Sequence, residues 1–155
     1  MPSAHHEVTI ARPIGEVFAF VADGLNGPRW RPGVRDLSLV SGAGVGAVYK
    51  QGVRGPGGRR IDADYRITEY KPNDRLSFVA IAGPVRPSGT YLFEEVPGGT
   101  RVSFSLQADL DGIKRLLLGG AVQKTMDAEV AATEQLRSIL ESGTAVEEPT
   151  FPPTT

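Results

Sequence analysis

Between Asp36 and Asp109 the sequence is a succession of short segments rich in β-branched and aromatic residues, cut apart by SGAGVG, RGPGGR, KPND, AGPVRP and VPGG. Gly supplies positive φ and Pro fixes φ while removing an N–H donor, so such clusters read as turns. The spacing leaves no room for crossover helices, which commits the middle of the chain to antiparallel strands. The predicted strands are RDLSLVS, AVYKQGVR, RIDADYRITEY, RLSFVAIAG, SGTYLFEEV and TRVSFSLQA. Ile61, Ala63, Tyr65 and Ile67 share one face against Arg60, Asp62, Asp64 and Arg66 on the other; Val102, Phe104 and Leu106 alternate with Arg101, Ser103, Ser105 and Gln107. The pattern is that of a sheet with one dry and one wet face.

Helical periodicity flanks this region. In EVTIARPIGEVFAFVADG, Val8 and Ile10 alternate as a short strand, after which Ile14, Val17, Phe18 and Val21 follow helical spacing, with Pro13 as the first helical residue and Gly24 as a left-handed stop. LNGPRWRPGV is expected to be a turn or short helix that presents Trp30 inward. Beyond Asp109, Val122, Met126, Val130, Thr133, Leu136 and Leu140 form one stripe of a long C-terminal helix, and Gly119 and Gly120 mark a candidate break after a leading helix from Ile113 to Leu118. The expected organisation is a single ligand-binding domain over residues 1–142, followed by a disordered Pro/Thr-rich tail, GTAVEEPTFPPTT, over 143–155.

Residues 42–47 read GAGVGA and match the glycine pattern that cradles a dinucleotide, with Asp62 at the distance of a ribose-binding acid. The fingerprint requires those glycines to open a helix. The chain continues instead as AVYKQGVRGPGG, where Gly52, Gly55 and Pro56 leave no space for a helix and Val48, Tyr49 and Val53 favour a strand. The glycines therefore read as a strand connection, and no cofactor is expected.

With 155 residues, 40% hydrophobic, 23% charged and a net charge of −1, the composition is that of a globular protein without a nucleic-acid footprint. The absence of cysteine excludes disulfides, thiolate metal sites and Cys nucleophiles. MPSAHHEVTI lacks the basic and apolar regions of a signal peptide, and no run is long enough to span a bilayer, so the expected location is cytoplasmic, without membrane insertion. His5 and His6, neighbours on a strand, point to opposite faces and cannot share a metal; both are expected in solvent. With no other histidine, no nucleophile–His pair can be assembled, and Asp62 and Asp64 sit on the wet face. Glu134 and Arg137 read as a surface ion pair, and RGPGGRR as a solvated hairpin tip.

In the order TIARPIGEVFAFVAD, WRPGV, GAGVGAVYK, RITEYKPNDRLSF, YLFEEVPGGTRVSF and a terminal amphipathic helix, from Glu7 to Glu141, the chain resembles the START-like (SRPBCC) superfamily, and within it the polyketide cyclase/dehydrase and lipid-transport family. The resemblance implies an α+β helix-grip, Bet v 1-like fold: a curved antiparallel sheet of six to seven strands wrapped around a long C-terminal helix, with a cavity between them. It implies a small hydrophobic molecule, lipid- or polyketide-like, as partner, or alternatively an aromatase/cyclase or dehydratase reaction in the same cavity.

By alternation, the inward set comprises Trp30, Tyr65, Phe78 and Phe104 with Val122, Met126, Val130 and Thr133 of the helix, joined by Tyr49, Gln51, Tyr91 and Phe93 in the favoured register. Residues of these types in such positions are more often plain core than ligand contacts, and Trp30 fits either a pocket rim or a plug at the end of the core. For an enzyme, Tyr65 and Tyr91 are the candidate acid/base groups and Arg86 a candidate donor to an enolate oxygen. A third class, an interaction module of the same fold, would have a filled interior. Oligomeric state is not encoded in any motif of the sequence.

Overall fold

The computed structural model describes residues 2–83 and 85–142; the expected tail over 143–155 lies outside the described residues. The strands are β1 (Ser3–Ile10), β2 (Val34–Ser41), β3 (Val48–Arg54), β4 (Arg60–Asp62), β5 (Tyr65–Lys71), β6 (Arg75–Ala80), β7 (Ser88–Val96) and β8 (Gly99–Gln107). The helices are α1 (Ile14–Ala22), α2 (Gly27–Trp30), α3 (Gly112–Ala131) and α4 (Thr133–Ser142). All strand pairs are antiparallel, in the order β1-β8-β7-β6-β5-β3-β2, with β4 beside β3. The α1–α2 segment carries the chain from one end of this order to the other. No helix among the described residues is long and apolar enough to cross a membrane.

The sheet has eight strands where six to seven are expected, because RIDADYRITEY is two strands. β3 pairs first with β4 and then with β5, and at the join Ala63 N–H donates to Gln51 O at 2.8 Å while Gln51 N–H donates to Asp64 Oδ1 at 3.0 Å. This bulge turns the Asp64 carboxylate, expected in solvent, onto the backbone of β3, where it is half-buried. Asp62 stays exposed in an ion pair with Arg60, whose guanidinium also forks onto Asp36 of β2 at 2.7 and 2.8 Å. The GAGVGA connection is a turn between β2 and β3, with φ of 81° at Gly42, 64° at Gly44 and 89° at Gly46.

The inner face of the sheet contributes Val8, Ile10, Tyr65, Ile67, Leu76, Tyr91, Phe93, Val102 and Phe104 to the core, and the helices cover it with Val17, Phe18, Val21, Met126, Val130, Leu136 and Leu140. Pro13 is the N-cap rather than the first residue of α1, which ends at Asp23 (φ −82°, ψ 97°). Gly24 is not left-handed: it opens a turn in which the Asp23 carboxylate accepts Leu25 N–H at 3.1 Å.

The C-terminal helix passes through Gly119 and Gly120 without interruption and breaks at Ala132. There the Thr133 hydroxyl donates to Val130 O at 2.8 Å, and Ala132 N–H is shared between Ala128 O at 3.1 Å and Glu129 O at 3.2 Å. A hydroxyl bonded back onto its own helix and a bifurcated N–H tighten the turn more effectively than glycine, whose cost of about 1 kcal/mol in a helix interior is absorbed by packing. Nor are the histidines simply solvated. His6 is half-buried, 2.8 Å from Glu134 Oε2, while His5 is exposed beside Ser105 Oγ at 2.9 Å. Glu134 also holds the expected contact with Arg137, at 3.0 Å.

Leu136 is fully buried at the centre of the helix cover. Leu136→Ala is expected to reduce the unfolding free energy by about 2–5 kcal/mol in a denaturant titration. Leu39→Ala, at a side chain 46% exposed, is expected to cost less than about 0.5 kcal/mol.

Candidate functional site

The short α1–α2 segment places two consecutive side chains at the open end of the sheet. Asn26 Nδ2 donates to Phe20 O at 3.0 Å, holding the turn against α1, and a Pro near its start fixes α2. Trp30, only 3% exposed, sets its edge against Tyr91 at a centroid distance of 6.3 Å. Arg31 caps the helix in an extended conformation. Gly24 is dictated by contact: a Cβ there would lie 2.6 Å from Tyr65 Oη and 2.7 Å from the Tyr49 ring, and Gly24 N–H donates to Tyr49 Oη at 3.3 Å.

Arg31 reaches into the interior. Its Nε donates to Glu129 Oε2 of α3, and its Nη1 donates to Gln51 Oε1 of β3 at 2.9 Å. Gln51 Nε2 passes the chain on to Ala63 O at 3.0 Å. The side chains of Arg31 and Glu129 are only 13% and 21% exposed, so the pair sits where charge interactions are poorly screened. Burial works against the Arg31 charge, but Glu129, with smaller contributions from Tyr91 and Tyr65, more than offsets it and raises the guanidinium above its ordinary range. Loss of water raises Tyr65, Tyr91 and, less deeply buried, Tyr49 above the usual phenol range; the nearby Arg31 charge opposes this at Tyr65 and Tyr91. The phenols are therefore neutral at physiological pH.

Around this cluster lies a cavity of about 50 Å³, with Gly24, Trp30, Arg31, Tyr49, Gln51, Tyr65, Ile67, Leu76, Phe78 and Tyr91 among its walls. It has room for a few water-sized groups and is well below the ~300–1,000 Å³ of pockets that enclose a drug-sized ligand. Of the expected inward set, Trp30, Tyr49, Gln51, Tyr65, Phe78 and Tyr91 come together here. Phe93 packs edge-on against Phe18 at 5.0 Å, and Phe104 stacks under Tyr91 at 4.1 Å. Met126, Val130 and Thr133 are buried in the core and Val122 half-buried at its margin, none of them on the cavity wall. Arg86 is exposed and donates to Gly83 O at 3.3 Å, away from the cavity walls.

Arg31 and Glu129 are absent from the set expected from sequence. A signal for Glu129 exists: it lies three residues after Met126 and four before Thr133, so a carboxylate falls on the helix face that is otherwise apolar. Arg31 has only its adjacency to Trp30. Among the described residues no group of His, Cys, Asp or Glu is placed to hold a metal ion.

A curved antiparallel sheet gripping a long C-terminal helix, with an aromatic-walled cavity where the sheet meets the α1–α2 segment, defines a helix-grip protein. The chain belongs to the family described as polyketide cyclase/dehydrase and lipid transport, whose sequence profile matches residues 1–139. Among solved structures, TTHA0849 from Thermus thermophilus is 24% identical, with a TM-score of 0.75 over 97% of this chain and 100% of that one. DR_A0006 from Deinococcus radiodurans is 18% identical, with a TM-score of 0.68 over 91% and 98% of the two chains. The Zhui aromatase/cyclase from a Streptomyces species is 17% identical, with a TM-score of 0.67 over 91% and 97%. At these identities the likeness is one of fold. No curated protein sequence matches.

Truncating one member of a buried ion pair strands the other. Glu129→Ala is expected to destabilise the fold by about 3–5 kcal/mol, and Arg31→Met with Glu129→Leu to recover most of that loss, as measured by denaturant unfolding. Gly24→Ala, which drives a methyl group into the Tyr49 and Tyr65 side chains, is expected to cost about 1–3 kcal/mol and to shift the near-ultraviolet circular dichroism of the tyrosines.

Proposed function

We propose that this protein binds a small apolar molecule, lipid- or polyketide-like, with its polar end in the cavity between the sheet and the α1–α2 segment. The observation that carries the reading is a cavity walled by Trp30, Tyr49, Tyr65, Phe78 and Tyr91 around a buried Arg31–Glu129 pair. Flat aromatic walls with a few fixed polar groups are the usual construction of a small-molecule site. Membership of a family described by polyketide and lipid chemistry supports the same class of guest. At about 50 Å³ the space takes only a short polar head, so a larger guest must displace the walls or extend beyond them.

A second reading, cyclisation or dehydration of a polyketide-like substrate, is supported by the same donors. Arg31 with the neutral phenols of Tyr65 and Tyr91 could stabilise an oxyanion developing on a bound carbonyl. The likeness to an aromatase/cyclase lies in the fold and does not by itself carry the chemistry.

Native mass spectrometry of protein purified from cells is expected to reveal a bound apolar compound that solvent extraction removes. Trp30, the only tryptophan of the chain, then reports on the cavity: removing the compound should change its emission, and adding it back should restore it. Preparations that never carry a compound, with a Trp30 emission indifferent to added apolar molecules, would refute the reading.

A further inference from the structure

Three donor groups on the cavity wall have no hydrogen-bond partner among the described residues. Arg31 spends Nε on Glu129 and Nη1 on Gln51, and its Nη2 has no hydrogen-bond partner among the described residues. The hydroxyls of Tyr65 and Tyr91, on side chains that are almost wholly buried, have none either. All three side chains line the same cavity, and each phenol is near enough to Arg31 and Glu129 to sense their charges. Buried polar groups are nearly always paired, and unused donors converging on one space call for acceptor oxygens from a guest.

The charge balance decides what kind of oxygen. Arg31 is already matched by Glu129, so the site is close to neutral before anything enters. Asp64, half-buried on Gln51 N–H, and Asp23, whose charge reaches Tyr49 and Tyr65, add further negative potential. A guest carboxylate would bring a fourth negative group to a site where, among the described residues lining the cavity, the one cation is already paired. A carbonyl oxygen accepts from the same donors and changes no net charge.

We infer that the cavity selects guests whose polar end is an uncharged carbonyl oxygen and rejects the corresponding carboxylates, with Glu129 setting that preference. This rests on the ligand-binding reading above and sharpens it to the chemistry of the head group. Glu129→Gln keeps an acceptor for Arg31 Nε while removing the charge, which leaves a buried guanidinium in search of an anion.

Acetophenone and benzoate are close in shape and differ at this group, and their Kd values for the full chain can be read from NMR titrations near neutral pH. Wild type is expected to bind acetophenone at least about tenfold more tightly than benzoate, and Glu129→Gln to shift that ratio by about tenfold or more toward benzoate. Tyr91→Phe, which removes a hydroxyl with no protein partner and so keeps the fold, is expected to weaken acetophenone by at least about threefold. Benzoate binding to wild type as tightly as acetophenone, or a ratio unmoved in folded Glu129→Gln, overturns the inference. If Glu129→Gln does not fold, an unchanged acetophenone affinity in Tyr91→Phe does so. Wild type that carries a co-purified apolar compound yet binds neither probe refutes the head-group preference alone; wild type with neither compound nor probe refutes the ligand-binding reading with it.

Discussion

An antiparallel sheet whose inner face carries Tyr65, Ile67, Leu76, Tyr91, Phe93 and Phe104 cannot leave that face in water, and the arrangement of the rest follows from how it is covered. The C-terminal helix supplies most of the cover through Met126, Val130, Leu136 and Leu140, and α1 adds Phe18, which meets Tyr70 and Phe93 edge-on at 5.4 and 5.0 Å. The cover is tight where α4 lies and incomplete beside α2. The cavity lies there, walled on the helix side by Gly24, Gly27, Trp30 and Arg31.

The fold was legible because its signals are local and redundant. The alternation of Val102, Phe104 and Leu106, the turn glycines after Ser41 and the stripe from Val122 to Leu140 each fix an element without knowledge of the others. The elements misread were those where tertiary contacts overrule local preference. The split between β4 and β5 depends on Asp64 finding Gln51 N–H, and the helix break at Ala132 on Thr133 bonding back to Val130. Gly24 looks like a helix stop in sequence, but its lack of a side chain is needed for the approach of Tyr49 and Tyr65.

The aromatic wall was legible for the same reason as the sheet, since Tyr49, Tyr65, Phe78 and Tyr91 occupy positions whose facing follows from alternation. The charged pair was not. Arg31 and Glu129 are 98 positions apart, joined only by the fold, and the place of Glu129 on an otherwise apolar helix face does not say which cation it meets. Which aromatics meet the cavity and which, like Phe104, lie beneath it also depends on the curvature of the sheet, which alternation does not encode.

The separation of Arg31 from Glu129 along the chain bears on the order of assembly. During synthesis the sheet emerges with its inner face bare, and Arg31 emerges with it, almost a hundred residues ahead of its counter-ion. An unpaired guanidinium resists dehydration, so this end of the sheet can be dry only where α3 brings Glu129 to it. The residue that gives the cavity its polarity thus also couples the docking of α2 to the docking of α3.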